Sequence, residues 1–241
     1  MVSTNKAGKA GHASFLTDSE LYGNLFAFNF AGFETTSGTL AFALVYLAAH
    51  PTMQDWAAQE VRQHYCAPDY ATSYPKLVRC QAVMHETLRL AAHAPMFVKA
   101  PSLPARLVLL NGSSRAVTIA PGTLVGLNMH GAHLSPQRWG ADVLSFDPQR
   151  FITTSPSGVE KLQVPEGPVY AAWMLGPHAC PGKKFSLVEF VVVLAGVLSK
   201  WRVEEEGSGR LVSVLARKRF NITCHLERPE EGRVRFVKRK G

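Results

Sequence analysis

The sequence has little cysteine, and none of it is arranged in pairs. Its 241 residues contain four cysteines: Cys66, Cys80, Cys180 and Cys224. The absence of a C-x-x-C motif argues against a structural zinc site and against a disulfide framework. Residues 1–14 also lack the apolar run of a secretory signal peptide. Both absences favour an intracellular, reducing compartment over secretion.

The sequence also lacks an internal repeat and any linker that would divide it. At 241 residues and 46% hydrophobic composition, it is long and apolar enough for a sizeable core. We expect a disordered segment over residues 1–17, a single domain over 18–228 and a basic C-terminal tail over 229–241.

Positive charge is concentrated at one end of the chain. Of the net charge of +8, residues 217–241 contribute +6, because they hold nine Lys or Arg and three Glu. A charge confined to one end is unlike the basic face of a nucleic-acid-binding fold, so no nucleic-acid partner is expected. A solvated tail is one interpretation, and contact with an anionic membrane or an acidic partner is the alternative.

One apolar run, residues 25–49, is long enough to cross a bilayer. It contains Glu34, Thr35 and Thr36, which are costly in lipid, so the run predicts a buried helix of a globular domain instead. Further helices, strands and a long irregular segment over 128–172 follow, and such a segment is typical of chain that wraps a functional site. The predicted helices run from a cap at Thr17, Asp18 or Ser19 to about Ala49, from Pro51 to before Pro68, from Tyr74 or Lys76 to His93, and from 185 to about Lys200. The predicted strands lie within 103–127, around turns at 111–112 and 121–122, and at 211–215 and 220–226.

A glycine- and proline-rich loop carries the first candidate site. Residues 173–182 read Trp-Met-Leu-Gly-Pro-His-Ala-Cys-Pro-Gly, and an apolar helix follows. A cysteine at a helix N-terminus is stabilised as a thiolate, and Gly176 and Gly182 allow tight turns beside a bulky group. Cys180 is therefore a candidate metal ligand, and the alternative is a buried, inert cysteine.

The first helix carries an unusual polar motif, Ala-Gly-Phe-Glu-Thr-Thr, at residues 31–36. Glycine costs about 1 kcal/mol relative to alanine in mid-helix, and an unpaired acid there costs more. Thr35 can bond back to the carbonyl of Ala31 and open the helix locally, while Gly32 leaves room for a small molecule. The alternative is a polar cluster satisfied by its neighbours.

In the third helix, Glu86 and Arg89 share one face at i, i+3, within an apolar frame that favours burial. Arg150 is a candidate third member of this cluster, because a buried guanidinium needs an anionic partner. A separate metal site at His130 and His133 is disfavoured, because the sequence offers no carboxylate or cysteine beside them.

Taken in order, four motifs closely resemble the cytochrome P-450 family of haem-thiolate monooxygenases. They are A-G-F-E-T-T, E-T-L-R, F-D-P-Q-R-F and W-M-L-G-P-H-A-C-P-G, and the resemblance extends over about residues 21–224. It implies a mainly α fold with small β-sheets, corresponding to the C-terminal half of that fold. The expected parts are a long central helix, an E-x-x-R helix, an irregular meander, the cysteine loop and the helix after it.

The resemblance also implies roles for individual residues. Cys180 would bind the iron of haem b (iron protoporphyrin IX), and Glu34 and Thr35 would deliver protons to bound dioxygen. Trp173 stands where a phenylalanine is usual, and His178 stands where an arginine usually binds a haem propionate. The remaining expected cofactor contacts are Gly176, Gly182, Ala31, Gly32 and Lys99; the expected ion network is Glu86, Arg89 and Arg150; and Phe28, Ala31, Thr36 and residues 95–98 would line the substrate side.

The implied reaction inserts one oxygen atom from O2 into an apolar organic substrate, of the kind met in secondary metabolism. Electrons would come from an NADPH-dependent reductase or another donor, which Lys183 and Lys184 could help to dock. Family members extend further before the central helix, so the resemblance implies an uncovered apolar face on that helix. It also implies an endoplasmic reticulum membrane location, through regions not in this chain. The alternative is a truncated, non-catalytic fragment that binds haem weakly or not at all.

Overall fold

The long first helix, α1, spans Asp18–Ala49. The computed structural model describes residues 16–108, 116–165, 167–207, 209–220 and 223–239. Thr17 caps α1, because its hydroxyl accepts the N–H of Glu20 while the Glu20 carboxylate accepts the N–H of Thr17. Pro51 cannot continue the helix and instead opens the next one. The predicted boundaries of this helix are confirmed.

The two halves of α1 have different environments. The C-terminal half lies in the core, where Phe42 and Leu47 are buried and the Tyr46 ring stacks on Phe146 at 4.6 Å. The N-terminal half projects large aromatic side chains into solvent, and Phe33 is 79% exposed. The predicted uncovered apolar face is confirmed, and its other large members are Tyr22, Phe26, Phe28 and Phe30.

Three further long helices pack around the buried half of α1. They are α2 (Pro51–His64), α4 (Val78–Leu90) and α7 (Lys183–Lys200), whose apolar faces join one core cluster. Helix α4 is shorter than the predicted 74–93 stretch. It begins after a separate 3-10 turn at Tyr74–Lys76, and it ends at Leu90.

Within the described residues, the strands pair as five two-stranded antiparallel sheets. These sheets and four short helices lie around the helical core, so the predicted mainly α fold with small sheets is confirmed. The pairs are β1 (Met96–Lys99) with β4 (Val125–Asn128), β2 (Ala105–Val108) with β3 (Ala116–Ile119), β5 (Ile152–Thr154) with β6 (Glu160–Leu162), β7 (Trp201–Glu205) with β10 (Val234–Lys238), and β8 (Lys218–Phe220) with β9 (Cys224–Leu226); the short helices are α3 (Tyr70–Ser73), α5 (Met129–His133), α6 (Pro136–Trp139) and α8 (Leu211–Ala216).

Two predictions near the C-terminus are wrong. Residues 211–215 belong to the helix α8 rather than to a strand, because Leu211, Val214 and Leu215 are buried at helical spacing. The basic tail is not wholly solvated, because β10 pairs with β7 over five residues. Ion pairs such as Arg235 to Glu204 at 2.9 Å hold part of its charge on the domain.

Two further predictions concern residues that the structure describes only in part or not at all. The predicted turn at 111–112 and most of the predicted disordered segment 1–17 lie outside the described residues. In the part that is described, none of the helices has the length and hydropathy needed to span a bilayer.

Candidate functional site

The cysteine loop is a closed turn that leads directly into α7. Gly176 has a φ of +77°, a conformation that glycine adopts without strain, and it opens the 3-10 turn Gly176–His178. The N–H of Cys180 then donates to the carbonyl of Trp173 at 2.8 Å, and the N–H of Lys183 donates to the carbonyl of Cys180 at 3.3 Å. Cys180 therefore sits just ahead of the positive end of an 18-residue helix.

The four cysteines have clearly different environments. Cys80 and Cys224 are buried, and burial raises the pKa of the Cys80 thiol well above its usual value and that of Cys224 to about 12. Cys66 is exposed but lies between α2 and α3. Cys180 is exposed in the loop before α7, where an external group can reach its sulfur. The buried-cysteine interpretation of Cys180 is therefore wrong.

Trp173 fixes the start of this loop against the domain. Its indole N–H donates to the hydroxyl of Ser186 in α7 at 3.0 Å. Its ring packs edge-to-face against the imidazole of His85 in α4, with the two ring centroids 5.5 Å apart. The Lys183 ammonium lies 5.6 Å from the centroid of the Trp173 ring. Burial, with a smaller effect of the Lys183 charge, lowers the pKa of His85 to about 3, so this imidazole is neutral near neutral pH.

Glu86 and Arg89 form a fully buried ion pair in α4. Both carboxylate oxygens accept hydrogen bonds from the guanidinium, at 2.6 Å and 2.8 Å. Arg89 also donates to the carbonyls of His133, Val143 and Ser145. A side chain of α4 therefore holds the irregular segment that precedes the cysteine loop.

Arg150 joins this pair, as the sequence predicted. Its Nε lies 3.4 Å from Glu86 Oε1, and a shorter bond of 2.6 Å joins its Nη2 to Asp142. Glu86 Oε1 also accepts the N–H of Asp147 at 2.9 Å. Burial raises the pKa of Glu86, and its hydrogen bond and charge pairing with Arg89 oppose that rise. The three predicted network residues are thus brought together.

The polar motif of α1 forms the back-bond that the sequence predicted. The hydroxyl of Thr35 donates to the carbonyl of Ala31 at 2.8 Å. Helix α1 nevertheless runs unbroken through Gly32, so the expected local opening is not observed. Ala31 and Gly32 are exposed, and a Cβ at Gly32 would meet no atom within 4 Å. This stretch of α1 therefore presents small residues and open space.

Glu34 has partners that sequence reasoning missed. Its Oε1 accepts a hydrogen bond from the hydroxyl of Thr223 at 2.7 Å and lies 3.6 Å from Nε2 of His225. These partners lie beside and within β9, 189 residues after Glu34 for Thr223. No local pattern in the sequence could have identified a contact over that separation.

The remaining predicted contacts stay predictions. Lys99 on β1 and His178 in the loop are both exposed, and neither side chain has a hydrogen bond to another described residue. His133 is buried and its Nε2 accepts the N–H of Ala171, while the His130 ring packs against Phe220. Within the described part of the chain, no three His, Cys, Asp or Glu side chains are grouped as they would be around a metal ion.

Comparison with known proteins identifies the family to which the chain belongs. The family model described as Cytochrome P450 matches residues 2–218. The "Phomenoic acid biosynthesis cluster cytochrome P450 monooxygenase" of Leptosphaeria maculans is 30% identical over 227 residues, covering 85% of this chain and 38% of the relative. "Cytochrome P450 monooxygenase 124" of Postia placenta is 31% identical over 194 residues, covering 78% of this chain and 35% of the relative.

An animal protein is similar to this chain to the same degree. The "Probable cytochrome P450 28d2" of Drosophila melanogaster is 30% identical over 181 residues, covering 75% of this chain and 34% of the relative. The chain thus spans a little over a third of the length of these relatives. The family model covers most of the chain, and the chain therefore belongs to the cytochrome P450 family.

Proposed function

We propose that this chain is part of a haem-thiolate monooxygenase that inserts one oxygen atom from O2 into an apolar organic substrate. The observation that carries the proposal is Cys180, an exposed thiol held by its own backbone just ahead of α7. Membership in the cytochrome P450 family supports a monooxygenase role in general. The substrate, the electron donor and the turnover of this chain are parts of the proposal.

The residues present fit a haem group ligated through Cys180. The thiol is exposed and unpaired, and a Cβ added at Gly182 would lie 3.7 Å from Cys180 Sγ, so the bare glycine keeps the surroundings of the sulfur open. We propose that Cys180 binds the iron, with Trp173 and Gly176 shaping the loop, and that His178 and Lys99 contact the propionates. Bound in this way, haem would supply the activation of O2 and the oxygen insertion.

In α1, we propose that Glu34 and Thr35 hold and pass protons. The Thr35 hydroxyl donates its single hydrogen bond to the carbonyl of Ala31, so its oxygen can only accept further hydrogen bonds. The Glu34 carboxylate is partly exposed and so can exchange protons with water. The exposed Ala31 and Gly32 leave space beside this pair.

The electron donor is proposed to dock beside the cysteine loop. Lys183 and Lys184 open α7 and are both exposed, and their ammonium groups lie over the rings of Trp173 and Tyr74. Such a pair would attract an acidic carrier such as an NADPH-dependent reductase. Family membership also supports a proposed location at the endoplasmic reticulum membrane.

The proposed reaction is tested by isotope incorporation. The haem-loaded chain is incubated with a reductase, NADPH, ¹⁸O2 and cyclohexane as an apolar probe, and the alcohol product is analysed by mass spectrometry. We expect an oxygenated product carrying one ¹⁸O atom, none with Cys180→Ala, and an unchanged yield with Cys66→Ala. A product labelled only from water, or equal yields from the two cysteine variants, would contradict the proposal.

A further inference from the structure

The carboxylate of Glu34 is held by the C-terminal hairpin of β8 and β9. Thr223 Oγ1 lies 2.7 Å from Glu34 Oε1 and 2.8 Å from His225 Nε2. His225 Nε2 itself lies 3.6 Å from the same carboxylate oxygen. The three side chains therefore form one hydrogen-bonded group that joins α1 to the end of the domain.

Thr223 immediately precedes β9 and His225 lies within it, and their side chains meet at 2.8 Å. Cys224 lies between them at the start of the strand. Cys224 is buried in the main core and Thr223 is 5% exposed, which fixes both residues in place. The hairpin thus reaches α1 as an anchored element.

The direction of the hydrogen bonds follows from the number of protons available. An ionised carboxylate can only accept, so the single hydroxyl proton of Thr223 points to Glu34. The lone pairs of that hydroxyl then accept the proton carried by His225 Nε2. This arrangement requires His225 to carry a proton on Nε2, in either its neutral or its charged form.

All of these contacts fall on one oxygen of Glu34. In the described part of the chain, the hydrogen bonds of the Glu34 side chain involve Oε1, and Oε2 has none. His93, which follows α4 and is 5% exposed, also interacts electrostatically with both Glu34 and His225. Burial lowers the pKa of His93 to about 4, so it is neutral near neutral pH and leaves the pair undisturbed.

We propose that Thr223 and His225 are positioning residues for Glu34: they hold Oε1 and so fix the orientation in which Oε2 exchanges protons beside Thr35. The inference rests on the proposed function of Glu34 in proton delivery. It assigns to the C-terminal hairpin a part in orienting the acid of α1.

The geometry is tested without haem, by NMR of the full chain labelled with ¹⁵N-histidine near neutral pH. We expect His225 to carry its proton on Nε2, with slow exchange to water. Thr223→Val should speed that exchange by about 2- to 10-fold, the effect of losing one hydrogen bond, whereas Thr223→Ser should preserve it. Glu34→Gln, at a partly exposed position, should also speed it.

An unprotonated Nε2, or exchange unchanged in both Thr223→Val and Glu34→Gln, would overturn the geometry. The functional part is tested on the haem-loaded chain with a reductase. We expect Thr223→Val to raise the hydrogen peroxide released per NADPH by about 2- to 10-fold with unchanged haem binding, and Thr223→Ser to restore the original yield.

The two proposals fail in different ways. If the chain binds no haem through Cys180, the proposed function fails, while the NMR result still decides the contact. If the NMR result is as expected and the peroxide yield does not change, the positioning role is refuted while the proposed function stands.

Discussion

Replacing Arg89 by methionine removes the centre of the buried ion network and leaves Glu86 behind. The Arg89 side chain is fully buried and donates to both oxygens of Glu86 and to three backbone carbonyls. Methionine fills much of the same volume but offers no donor. The variant therefore keeps the packing and loses the charge and the hydrogen bonds.

The expected cost is large because the remaining carboxylate stays buried. Removing one partner of a buried pair costs about 3–5 kcal/mol, against a total stability of about 5–15 kcal/mol for a domain. The Asp147 N–H at 2.9 Å and Arg150 at 3.4 Å remain and offset part of this loss. We expect Arg89→Met to lower the free energy of unfolding by about 3 kcal/mol.

The stability lost in Arg89→Met should also depend on pH. Burial raises the pKa of Glu86, and Arg89 opposes that rise. Without Arg89 the folded state would bind the Glu86 proton more tightly than the unfolded state does. Such a group stabilises the fold at low pH and loses that contribution as the pH rises through its folded pKa. The deficit relative to the original chain should therefore shrink as the pH is lowered from about 8 to about 5.

The assay is urea unfolding followed by tryptophan fluorescence and circular dichroism. The matched control is Arg235→Met, which removes a guanidinium 62% exposed from its pair with Glu204 and should cost less than about 1 kcal/mol. The double variant Glu86→Gln with Arg89→Met should recover part of the loss. A cost for Arg89→Met no larger than that of the control would refute the reasoning.

Three further variants give independent tests. Burial raises the pKa of Glu60 to about 7, although the carboxylate accepts the N–H groups of Arg79 and Cys80. Its contribution to stability is present below the unfolded pKa of about 4.5 and is lost as the pH rises through about 7. The urea midpoint of the original chain should therefore fall as the pH rises through about 7, and Glu60→Gln should make that fall smaller. An equal fall in the variant would show that Glu60 does not cause it. Thr35→Ala should leave haem binding intact and divert reducing equivalents to hydrogen peroxide; unchanged coupling in a peroxide assay would count against its proton role. Phe33→Glu should reduce self-association of the exposed α1 face in light scattering, and equal scattering would show that this face does not drive association.

Local signals in the sequence predicted the long helices well. Thr17 and Pro51 set the ends of α1 by capping and by the missing proline N–H, and both effects act within one turn. Short elements were harder to predict, because residues 211–215 fit both a strand and a helix. Only burial of Leu211 and Val214 on the core side selects the helix.

Contacts within one helix were predictable, and contacts between distant segments were not. Glu86 and Arg89 are one helical turn apart, so their pairing follows from spacing. Arg150 was a candidate because a buried guanidinium needs an anionic partner, and the family motif agreed with it, but spacing alone did not place it beside Glu86. The pairing of Thr223 with Glu34 and the strand at Val234–Lys238 depend on the tertiary fold, and the basic charge of the tail concealed its pairing with β7.

The most direct test of the account is the absorption spectrum of the reduced chain with haem and carbon monoxide. A thiolate ligand shifts the Soret band to longer wavelength than a nitrogen ligand does. We expect this red-shifted band for the original chain and for Cys66→Ala, and its loss in Cys180→Ala. Absence of the band in the original chain, or its survival in Cys180→Ala, would contradict Cys180 as the haem ligand.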